Sequence, residues 1–547
     1  MANNQLRVVL AQIDPVVGDV AGNTRKVIAA TQQARQEHDA ELVVFPELCL
    51  TGYPPEDLLL RPGLLKRVDK ALQTICQQID DITIIVGHPL GEVGKELFNA
   101  ASVINKKNIT AQYLKQKLPN YGVFDEKRYF IEGREATVIE INQFKIGLTI
   151  CEDIWFIEPS SQSVDAGAEV IMNINASPFK QDKTQLREAE VSQRARENNV
   201  PVLYVNQIGG QDELVFDGAS FAVNAAGEKC VQAIQFATAL VPITLHKTEW
   251  GIELSGPQQP LMEELETIYQ ALVCGLRDYV EKNRFPGVVI GLSGGIDSAL
   301  TMALAVDALG AERVQAVMMP SRYTSQISLD DAAEMAAILG VQYRNINIEN
   351  LFQTFLRELE DVFAGTQPDA TEENIQARCR GVLLMAISNK TGAMVLSTGN
   401  KSEMAVGYST LYGDMAGGFS PLKDVYKTLV YKLARYRNSL SPIIPERIIS
   451  RPPSAELSAD QVDQDSLPAY EILDEILEAY IAKDDCFEDL VASGFDAETV
   501  AQVIKMVDRS EYKRRQAPPG IRITGRAFGR DRRYPITSGY TVTSTIE

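Results

Sequence analysis

A chain of 547 residues with 45% hydrophobic residues is long enough for two or more domains, each with its own core. Its formal net charge of −20 argues against general binding to nucleic acids or anionic membranes, and no apolar run approaches the ~18 residues of a membrane span. The seven cysteines include no C-x-x-C pair, and MANNQLRVVLAQ passes without a signal segment into a predicted strand. These features predict a soluble protein of the reducing cytoplasm.

Residues 5–245 alternate between predicted strands and helices. QLRVVLAQ is typical of a strand, NTRKVIAATQQARQEH of an amphipathic helix, and AELVVF of a buried strand that ends in a loop carrying Glu47. A later strand, FKIGLTI, ends at Cys151, and AEVIMNINASPF and PVLYVNQIGG repeat the pattern of a buried strand that ends in polar residues. The repeated strand-helix-strand order predicts a layered α/β architecture.

Three residues at the ends of these strands form a candidate thiol hydrolase site. Cys151 can act as the nucleophile, Glu47 as a general base and Lys115 as a cation for a developing oxyanion. A nearby cation also lowers the pKa of a cysteine, which favours the reactive thiolate. Each residue alone has a plainer interpretation, because a cysteine at the end of an apolar strand is more often a core residue and a lone Glu or Lys is mostly solvated.

The second half of the chain opens on a loop with the features of a phosphate site. In VVIGLSGGIDSAL, three apolar strand formers lead through Ser293, Gly294 and Gly295 into a helix that begins near Asp297 and Ser298. Adjacent glycines allow close backbone approach, and serine hydroxyls with the free N–H groups of a helix start supply donors for phosphate. The loop lacks the lysine and the spacing of a Walker A motif.

Charged residues elsewhere in this half extend the candidate site. Glu403, which follows the predicted strand MVLSTG, could join Asp297 in holding Mg²⁺, because magnesium prefers one or two carboxylates with substrate phosphates; the alternative is a helix N-cap partner. From Lys505 to Arg533 ten Lys or Arg residues stand against three acidic ones, so this tail is either a solvated face or an anion site, for example for the phosphates of a dinucleotide. No histidine follows His246, which excludes histidine acid-base chemistry here.

Motifs along almost the whole chain resemble known families. FPEL around Glu47, K-x-x-LPNY from Lys115 and ICEDIW around Cys151 are similar to the nitrilase, or carbon-nitrogen hydrolase, superfamily, and SGGIDS resembles the loop of the ATP pyrophosphatases. Together with NIQARCRG, STGNKSE, DMAGGFSPLKDVYK, the PPSAEL to DSLPAY loop and EYKRRQAPPG, these motifs resemble the glutamine-dependent NAD synthetases. The resemblance implies an α/β protein with a nitrilase-like α-β-β-α sandwich followed by a doubly wound parallel-sheet ATP-pyrophosphatase domain.

The resemblance also implies a domain division and a set of site residues. The expected boundaries are residues 1–246 for a glutaminase domain, 247–262 for a polar linker containing Gly and Pro, and 263–547 for a synthetase domain. The implied residues are Glu47, Lys115 and Cys151 for catalysis; Tyr121, Ser177 and Lys183 for glutamine; Gly291, Leu292, Ser293, Gly294, Gly295, Ile296, Asp297, Ser298 and Thr398 for ATP; Asn374, Glu403 and Lys513 for deamido-NAD; and Asp297 and Glu403 for magnesium.

The implied reaction is the ATP-dependent amidation of deamido-NAD to NAD. Cys151 attacks the glutamine carboxamide and releases ammonia, which then displaces AMP from an adenylate of the nicotinate carboxylate. The expected ligands are deamido-NAD, L-glutamine, ATP and Mg²⁺, and the expected assembly is a homodimer or a larger homo-oligomer such as an octamer, with no nucleic acid or membrane partner. Alternatives are another ATP-pyrophosphatase amidotransferase, an ammonia-dependent synthetase with a silent nitrilase scaffold, and a non-catalytic nucleotide-binding regulator.

Overall fold

The computed structural model of the chain describes residues 4–458, 463–465 and 467–540. The chain divides into two compact units, Met1–Glu263 and Glu264–Glu547. Residues 459–462 and 466, which belong to the PPSAEL to DSLPAY motif, lie outside the described residues. Within the described ranges, no helix is both long and apolar enough to cross a bilayer.

The first unit alternates between strands and helices. Its strands are β1 (Gln5–Gln12), β2 (Leu42–Val44), β3 (Thr83–Gly91), β4 (Leu97–Asn105), β5 (Asn108–Leu114), β6 (Val138–Ile141), β7 (Phe144–Ile150), β8 (Val170–Asn175), β9 (Val202–Asn206), β10 (Ile208–Gln211), β11 (Leu214–Asp217), β12 (Phe221–Val223), β13 (Lys229–Gln232), β14 (Ala239–Thr248) and β15 (Gly251–Ser255). Its α-helices are α1 (Val20–His38), α2 (Pro62–Gln78), α3 (Ile157–Asp165) and α4 (Lys183–Asn198), and 3₁₀ turns span Glu56–Leu60, Glu126–Arg128 and Cys151–Trp155.

Two large sheets of this unit pack face to face. One has the strand order β15-β14-β1-β2-β3-β4-β5 and the other β13-β12-β9-β8-β7-β6. Apolar side chains of both sheets, such as Leu10 and Ile150, share one buried core. Val27 of α1 and Leu72 of α2 pack in a second core on the outer face of the first sheet, and Val191 of α4 packs on the second sheet. The unit is therefore the predicted α-β-β-α sandwich.

The strand directions bring the candidate catalytic segments to one edge. β1, β2 and β3 are parallel neighbours in the first sheet, and β7, β8 and β9 are parallel neighbours in the second. β5 runs in the direction of β3, because both are antiparallel to β4. Glu47, Lys115, Cys151 and Ser177 all follow the carboxyl ends of such strands, namely β2, β5, β7 and β8.

The structure differs from the sequence-based expectation in the region of the expected linker, residues 247–262. β14 continues to Thr248 and pairs antiparallel with β15, with Thr244 opposite Ser255. Ile252 and Leu254 of β15 pack against the core between the two sheets, while the alternate residues face outward. The apolar-polar alternation of GIELS is the signal for this edge strand, but it is short and lies among polar neighbours.

The second unit is a helical domain around one small sheet. Its strands are β16 (Val288–Gly291), β17 (Val314–Met318), β18 (Gln342–Asn345) and β19 (Met394–Leu396). Its α-helices are α5 (Glu264–Lys282), α6 (Ile296–Leu309), α7 (Gln326–Leu339), α8 (Glu349–Glu358), α9 (Ala370–Thr391), α10 (Lys401–Val406), α11 (Lys427–Leu440), α12 (Glu446–Ser450), α13 (Tyr470–Leu477), α14 (Phe487–Ala492), α15 (Ala497–Arg509) and α16 (Glu511–Arg514), with 3₁₀ turns at Ala311–Arg313 and Asp463–Asp465 and a π-helical turn at Glu478–Ala482.

The sheet of the second unit is parallel, in the order β18-β17-β16-β19. The chain winds from β16 through α6 to β17 on one side and later reaches β19 on the other, so the winding direction reverses at β16. Open parallel α/β sheets bind ligands at the carboxyl ends of the strands at such a point. The predicted phosphate loop, residues 291–298, lies there, and the doubly wound fold class is confirmed.

Candidate active site

Lys115 and Glu47 form a buried ion pair at the strand ends of the first unit. Lys115 Nζ lies 2.6 Å from Glu47 Oε1, and neither side chain is exposed. Asn99 Nδ2 donates to the same oxygen at 2.7 Å, and the backbone N–H of Ala176 donates to Glu47 Oε2 at 3.0 Å. Because donors come from three separate segments, the orientation of the Glu47 carboxylate is fixed.

Glu126 is a second carboxylate on Lys115, and the sequence analysis missed it. Both of its oxygens accept hydrogen bonds from Lys115 Nζ at 2.9 Å, and Tyr53 OH donates to Oε1 at 2.8 Å. Burial raises the pKa of Glu126 to about 7, while Lys115 lowers this pKa and Glu47 raises it. Burial alone would lower the pKa of Lys115, but Glu126 and Glu47 outweigh it and raise that pKa, so the ammonium stays charged.

Cys151 directly follows β7 and has a left-handed backbone. Its φ is 46° and its side chain is buried, a conformation that a residue with a Cβ keeps only when the surrounding structure holds it. Burial raises the pKa of the thiol, Glu47 raises it further, and Lys115 lowers it by less. The neighbouring cation therefore does not make a resting thiolate, and a base must take the thiol proton as the sulfur attacks.

Tyr121 and Ser177, predicted to bind glutamine, lie on segments that leave these strand ends. The Tyr121 hydroxyl donates to the two carboxylate oxygens of Glu152, at 3.0 and 3.1 Å. Ser177 is buried, and its N–H donates to Asn206 Oδ1 at 2.9 Å. Glu152 follows Cys151 directly, so the exposed Tyr121 ring is tied to the segment that carries the candidate nucleophile.

Lys183, the third residue predicted to bind glutamine, is the first residue of α4. Its Nζ lies 4.0 Å from the centre of the Trp155 ring. Burial lowers the pKa of Lys183 to about 8, and Arg187 lowers it further, whereas Cys151 raises it. Trp155 ends the 3₁₀ turn that begins at Cys151, so Lys183 contacts the turn that carries the candidate nucleophile.

The Glu126→Gln variant is expected to hydrolyse glutamine, the expected substrate, about 100-fold more slowly than the wild type. Lys115 loses the carboxylate whose two oxygens accept its hydrogen bonds, and its ammonium is then less well positioned. In the wild type, a carboxyl with a pKa of about 7 must lose its proton to accept both bonds, so glutamine hydrolysis should rise with pH through about 7. The variant should lack this rise. A pH series of glutamine hydrolysis checks both statements; an unchanged pH profile in the variant would show that another group controls it.

In the second unit, residues 291–298 run from the last residue of β16 through a short loop into the first turn of α6. The N–H of Ser293 donates to Ser298 Oγ at 3.2 Å, and the N–H of Gly295 donates to Ser293 Oγ at 3.2 Å. Gly294 has a φ of +82°, and a Cβ there would lie 2.6 Å from the carbonyl oxygen of Ser328, so the position requires glycine. The remaining residues predicted for ATP lie in the same segment or just beyond β19: Gly291, Leu292, Ile296, Asp297 and Thr398.

Asp297 and Glu403, predicted to hold magnesium, meet at Lys427. Lys427 Nζ, in the first turn of α11, donates to Asp297 Oδ2 and, at 3.1 Å, to Glu403 Oε1. Asn400 Nδ2 donates to Asp297 Oδ1 at 3.0 Å. Burial raises the pKa of Glu403 to about 8, with Lys427 lowering it and Asp297 raising it. Sequence analysis quoted the motif that contains Lys427 but missed the residue.

This arrangement fits a magnesium site. Two partly buried carboxylates lie around Lys427, and Asp297 raises the pKa of Glu403 by a repulsion that a divalent cation would relieve. Magnesium commonly takes one or two protein carboxylates and fills its other positions with phosphate and water. The described part of the chain has no group of three or more His, Cys, Asp or Glu side chains that could hold a metal alone, so substrate phosphates would have to complete the site.

The residues predicted to bind deamido-NAD gather at α10 and the loop after it. Glu403 lies on α10 itself. Asn374 Oδ1, on α9, accepts a hydrogen bond from the Thr410 hydroxyl at 2.7 Å. Lys513 Nζ, on α16, donates to the carbonyl oxygen of Ser409 at 2.8 Å. The structure therefore brings the three residues together from three distant parts of the chain.

The basic tail is partly neutralised by its own acidic residues. Glu511 forms ion pairs with Arg514 Nη2 at 2.9 Å and with Arg515 Nε at 3.0 Å. Asp531 forms an ion pair with Arg522 Nε at 2.8 Å. These three arginines are therefore engaged within the tail, whereas Lys513 of the same tail remains a predicted residue for deamido-NAD.

Each of the two units of the chain matches a known family. Residues 7–249 match the carbon-nitrogen hydrolase family, and residues 268–517 match the NAD synthase family. The fold and the sites thus define an enzyme that joins a carbon-nitrogen hydrolase to an ATP-using synthase.

Full-length relatives have the same two parts. The chain is 49% identical over 540 residues to the glutamine-dependent NAD(+) synthetase of Acinetobacter baylyi, covering 98% of both chains, and 46% identical to that of Thermotoga maritima, covering 98% of this chain and 99% of the relative. The chain therefore belongs to the glutamine-dependent NAD(+) synthetases. The family and the overall reaction expected from the sequence are confirmed.

Solved structures agree with this assignment. The glutamine-dependent NAD+ synthetase of Acinetobacter baumannii, in complex with ADP, is 49% identical and superposes with a TM-score of 0.80 over 98% of this chain and 99% of that one. The enzyme of Cytophaga hutchinsonii is only 21% identical, but its TM-score of 0.85, over 98% of each chain, shows the same fold.

Proposed function

We propose that this chain makes NAD from deamido-NAD, ATP and glutamine, with the first unit, Met1–Glu263, as the glutaminase and the second unit, Glu264–Glu547, as the synthetase. The observation that carries the proposal is the buried Lys115–Glu47 ion pair beside the strained Cys151, at the strand ends of a carbon-nitrogen hydrolase fold. The same chain carries the phosphate loop of a parallel α/β sheet. Both reactive sites are present, which favours a fused enzyme over a silent scaffold.

In the glutaminase reaction, Glu47 takes the thiol proton of Cys151 as the sulfur attacks the carboxamide carbon of glutamine. The Lys115 ammonium lies beside Glu47 and stabilises the negative charge that develops on the amide oxygen. Glu47 then passes the proton to the departing nitrogen, which leaves as ammonia, and the acyl group remains on sulfur as a thioester. Water, deprotonated by Glu47, hydrolyses the thioester to glutamate and regenerates the thiol.

In the synthetase reaction, the loop from Ser293 to Ser298 and the first turn of α6 offer N–H and hydroxyl donors to the ATP phosphates. Lys427 is the cation beside them, and Asp297 and Glu403 would hold Mg²⁺. When bound, magnesium would neutralise the negative charge of the departing pyrophosphate. The remaining predicted residues, Asn374 and Lys513, would hold deamido-NAD while its carboxylate forms an adenylate and ammonia displaces AMP.

We also infer a cytoplasmic location and a homo-oligomeric assembly, as a dimer or a larger form such as an octamer. None of the seven cysteines, all of which lie in the described ranges, forms a disulfide. The family resemblance supports the assembly. Light scattering on the purified protein measures its mass directly.

Labelling with 6-diazo-5-oxo-L-norleucine, a glutamine analogue that alkylates the attacking nucleophile, tests the assignment of Cys151. Peptide mass spectrometry should find the adduct on Cys151, and glutamine should protect this residue. Iodoacetamide should instead modify the exposed Cys486 whether or not glutamine is present. The labelled enzyme should still make NAD from ammonium chloride. An adduct on another cysteine would contradict the role of Cys151, and loss of ammonium-driven synthesis would contradict the division between the units.

A further inference from the structure

Asp153 is a buried carboxylate two residues beyond the candidate nucleophile. Its Oδ1 accepts hydrogen bonds from the backbone N–H groups of Gln116 at 3.1 Å and Lys117 at 2.8 Å. Its Oδ2 accepts from the backbone N–H of Ile150 at 2.9 Å and from Tyr113 OH at 2.8 Å. All four acceptor positions of an ionised carboxylate are therefore used.

These four donors belong to the two segments that carry catalytic residues. Tyr113, Gln116 and Lys117 surround Lys115 in the chain, and Ile150 directly precedes Cys151. The two segments lie at the carboxyl ends of β5 and β7, which belong to different sheets of the sandwich. No backbone ladder therefore fixes the distance between Lys115 and Cys151, although their cooperation in hydrolysis depends on it.

We propose that Asp153 is a positioning residue for glutamine hydrolysis, because its carboxylate joins the Lys115 segment to the Cys151 segment across the two sheets. The inference rests on the proposed roles of Lys115 and Cys151. Asp153 also accepts a hydrogen bond from the N–H of Ile150. The next residue, Cys151, has the left-handed φ of 46°. A broken link would let this turn relax and would move the sulfur relative to the ammonium.

The charge of Asp153 suits this role. Burial raises the pKa of Asp153 to about 6, whereas the Ile150 N–H, the Lys115 ammonium, the Lys117 N–H and the Tyr113 hydroxyl each lower it. The carboxylate is therefore ionised at neutral pH. A protonated carboxyl carries hydrogen at one of the four positions and an amide carries hydrogen at two, so each loses some of the hydrogen bonds that join the two segments.

Asp153→Asn tests the proposal directly. We expect kcat for glutamine hydrolysis to fall at least about 100-fold, because misplacement by about 1 Å costs this much, while KM for glutamine stays within about threefold of the wild type. NAD synthesis from ammonium chloride should not change. A residue that only stabilised the fold would lower the melting temperature and leave kcat per folded molecule near the wild type. A kcat per folded molecule within about threefold of the wild type would therefore overturn the proposal.

Tyr113→Phe keeps the proposal testable if Asp153→Asn fails to fold. Loss of the phenol removes one donor to Asp153 and should raise the pKa of its carboxyl. The acid limb of glutamine hydrolysis that Asp153 causes, near pH 6, should then move to higher pH, while the pH profile of ammonium-driven synthesis stays in place. Tyr53→Phe is the matched variant: Tyr53 donates to Glu126 and not to Asp153, so this variant should move the limb near pH 7 that Glu126 causes and leave the limb near pH 6 in place. An unmoved acid limb in Tyr113→Phe would overturn the proposal.

Failure of this inference and failure of the proposed triad give different results. If Cys151→Ala still hydrolyses glutamine, the triad is wrong and the inference falls with it. If Cys151→Ala is inactive while folded Asp153→Asn retains the wild-type kcat, the triad stands and only the positioning role is wrong.

Discussion

The Cys151→Ala variant is expected to lose glutamine-driven NAD formation by at least about 10⁴-fold, while synthesis from ammonium chloride stays within about twofold of the wild type. The sulfur is the atom that forms the thioester, and a catalytic unit that loses its nucleophile loses rate by about 10⁴- to 10⁶-fold. Glu47 and Lys115 are held in an ion pair with each other. Neither side chain can therefore replace the sulfur as the group that carries the acyl intermediate. NAD formed with each nitrogen source, measured in the same preparation, gives both rates.

Cys230→Ala is the matched control for this experiment. Cys230 is a half-buried residue of β13 whose thiol lies 3.4 Å from the carbonyl oxygen of Glu228, and it should keep both activities. Equal use of glutamine by the wild type and by Cys151→Ala would contradict the role of Cys151. A wild type that uses only ammonium would show instead that the first unit is a silent scaffold.

The candidate site residues that sequence reasoning identified in the first unit share a local signal. Glu47, Cys151 and Ser177 each follow a buried strand within a few residues, and the parallel direction of these strands brings their ends to one edge. Glu126 has no such signal. It lies on a 3₁₀ turn between β5 and β6, and its role depends on contacts with Lys115 and Tyr53 that only the folded chain creates.

The second unit also contains residues that the sequence could predict and residues that it could not. The phosphate loop could be predicted, because its strand, its glycines and its helix start are contiguous in the sequence. Lys427 could not, since it lies 130 residues from the Asp297 carboxylate to which it donates. The position of Asp153 in the sequence does not indicate its burial either, because its four hydrogen-bond donors come from two separate segments of the chain.

Asp297→Asn is expected to reduce NAD formation about 1000-fold with either nitrogen source, which corresponds to about 4 kcal/mol of transition-state stabilisation. The amide can still accept the hydrogen bond from Asn400, but it removes one of the two carboxylates that face Lys427 and would hold Mg²⁺. The Mg²⁺ concentration for half-maximal synthesis should therefore rise. Glutamine hydrolysis, measured on the same sample, reports whether the first unit is intact.

Asp307→Asn separates this effect from damage to α6. Asp307 lies near the other end of the same helix, where it accepts hydrogen bonds from Tyr269 OH at 2.6 Å and Arg437 Nη2 at 3.0 Å. This variant should keep synthesis within about threefold of the wild type and should not change the dependence on Mg²⁺, because its carboxylate is engaged away from the phosphate loop. Similar losses in both variants would mean that the packing of α6 limits activity, and wild-type synthesis in Asp297→Asn would show that Asp297 does not serve the ATP site.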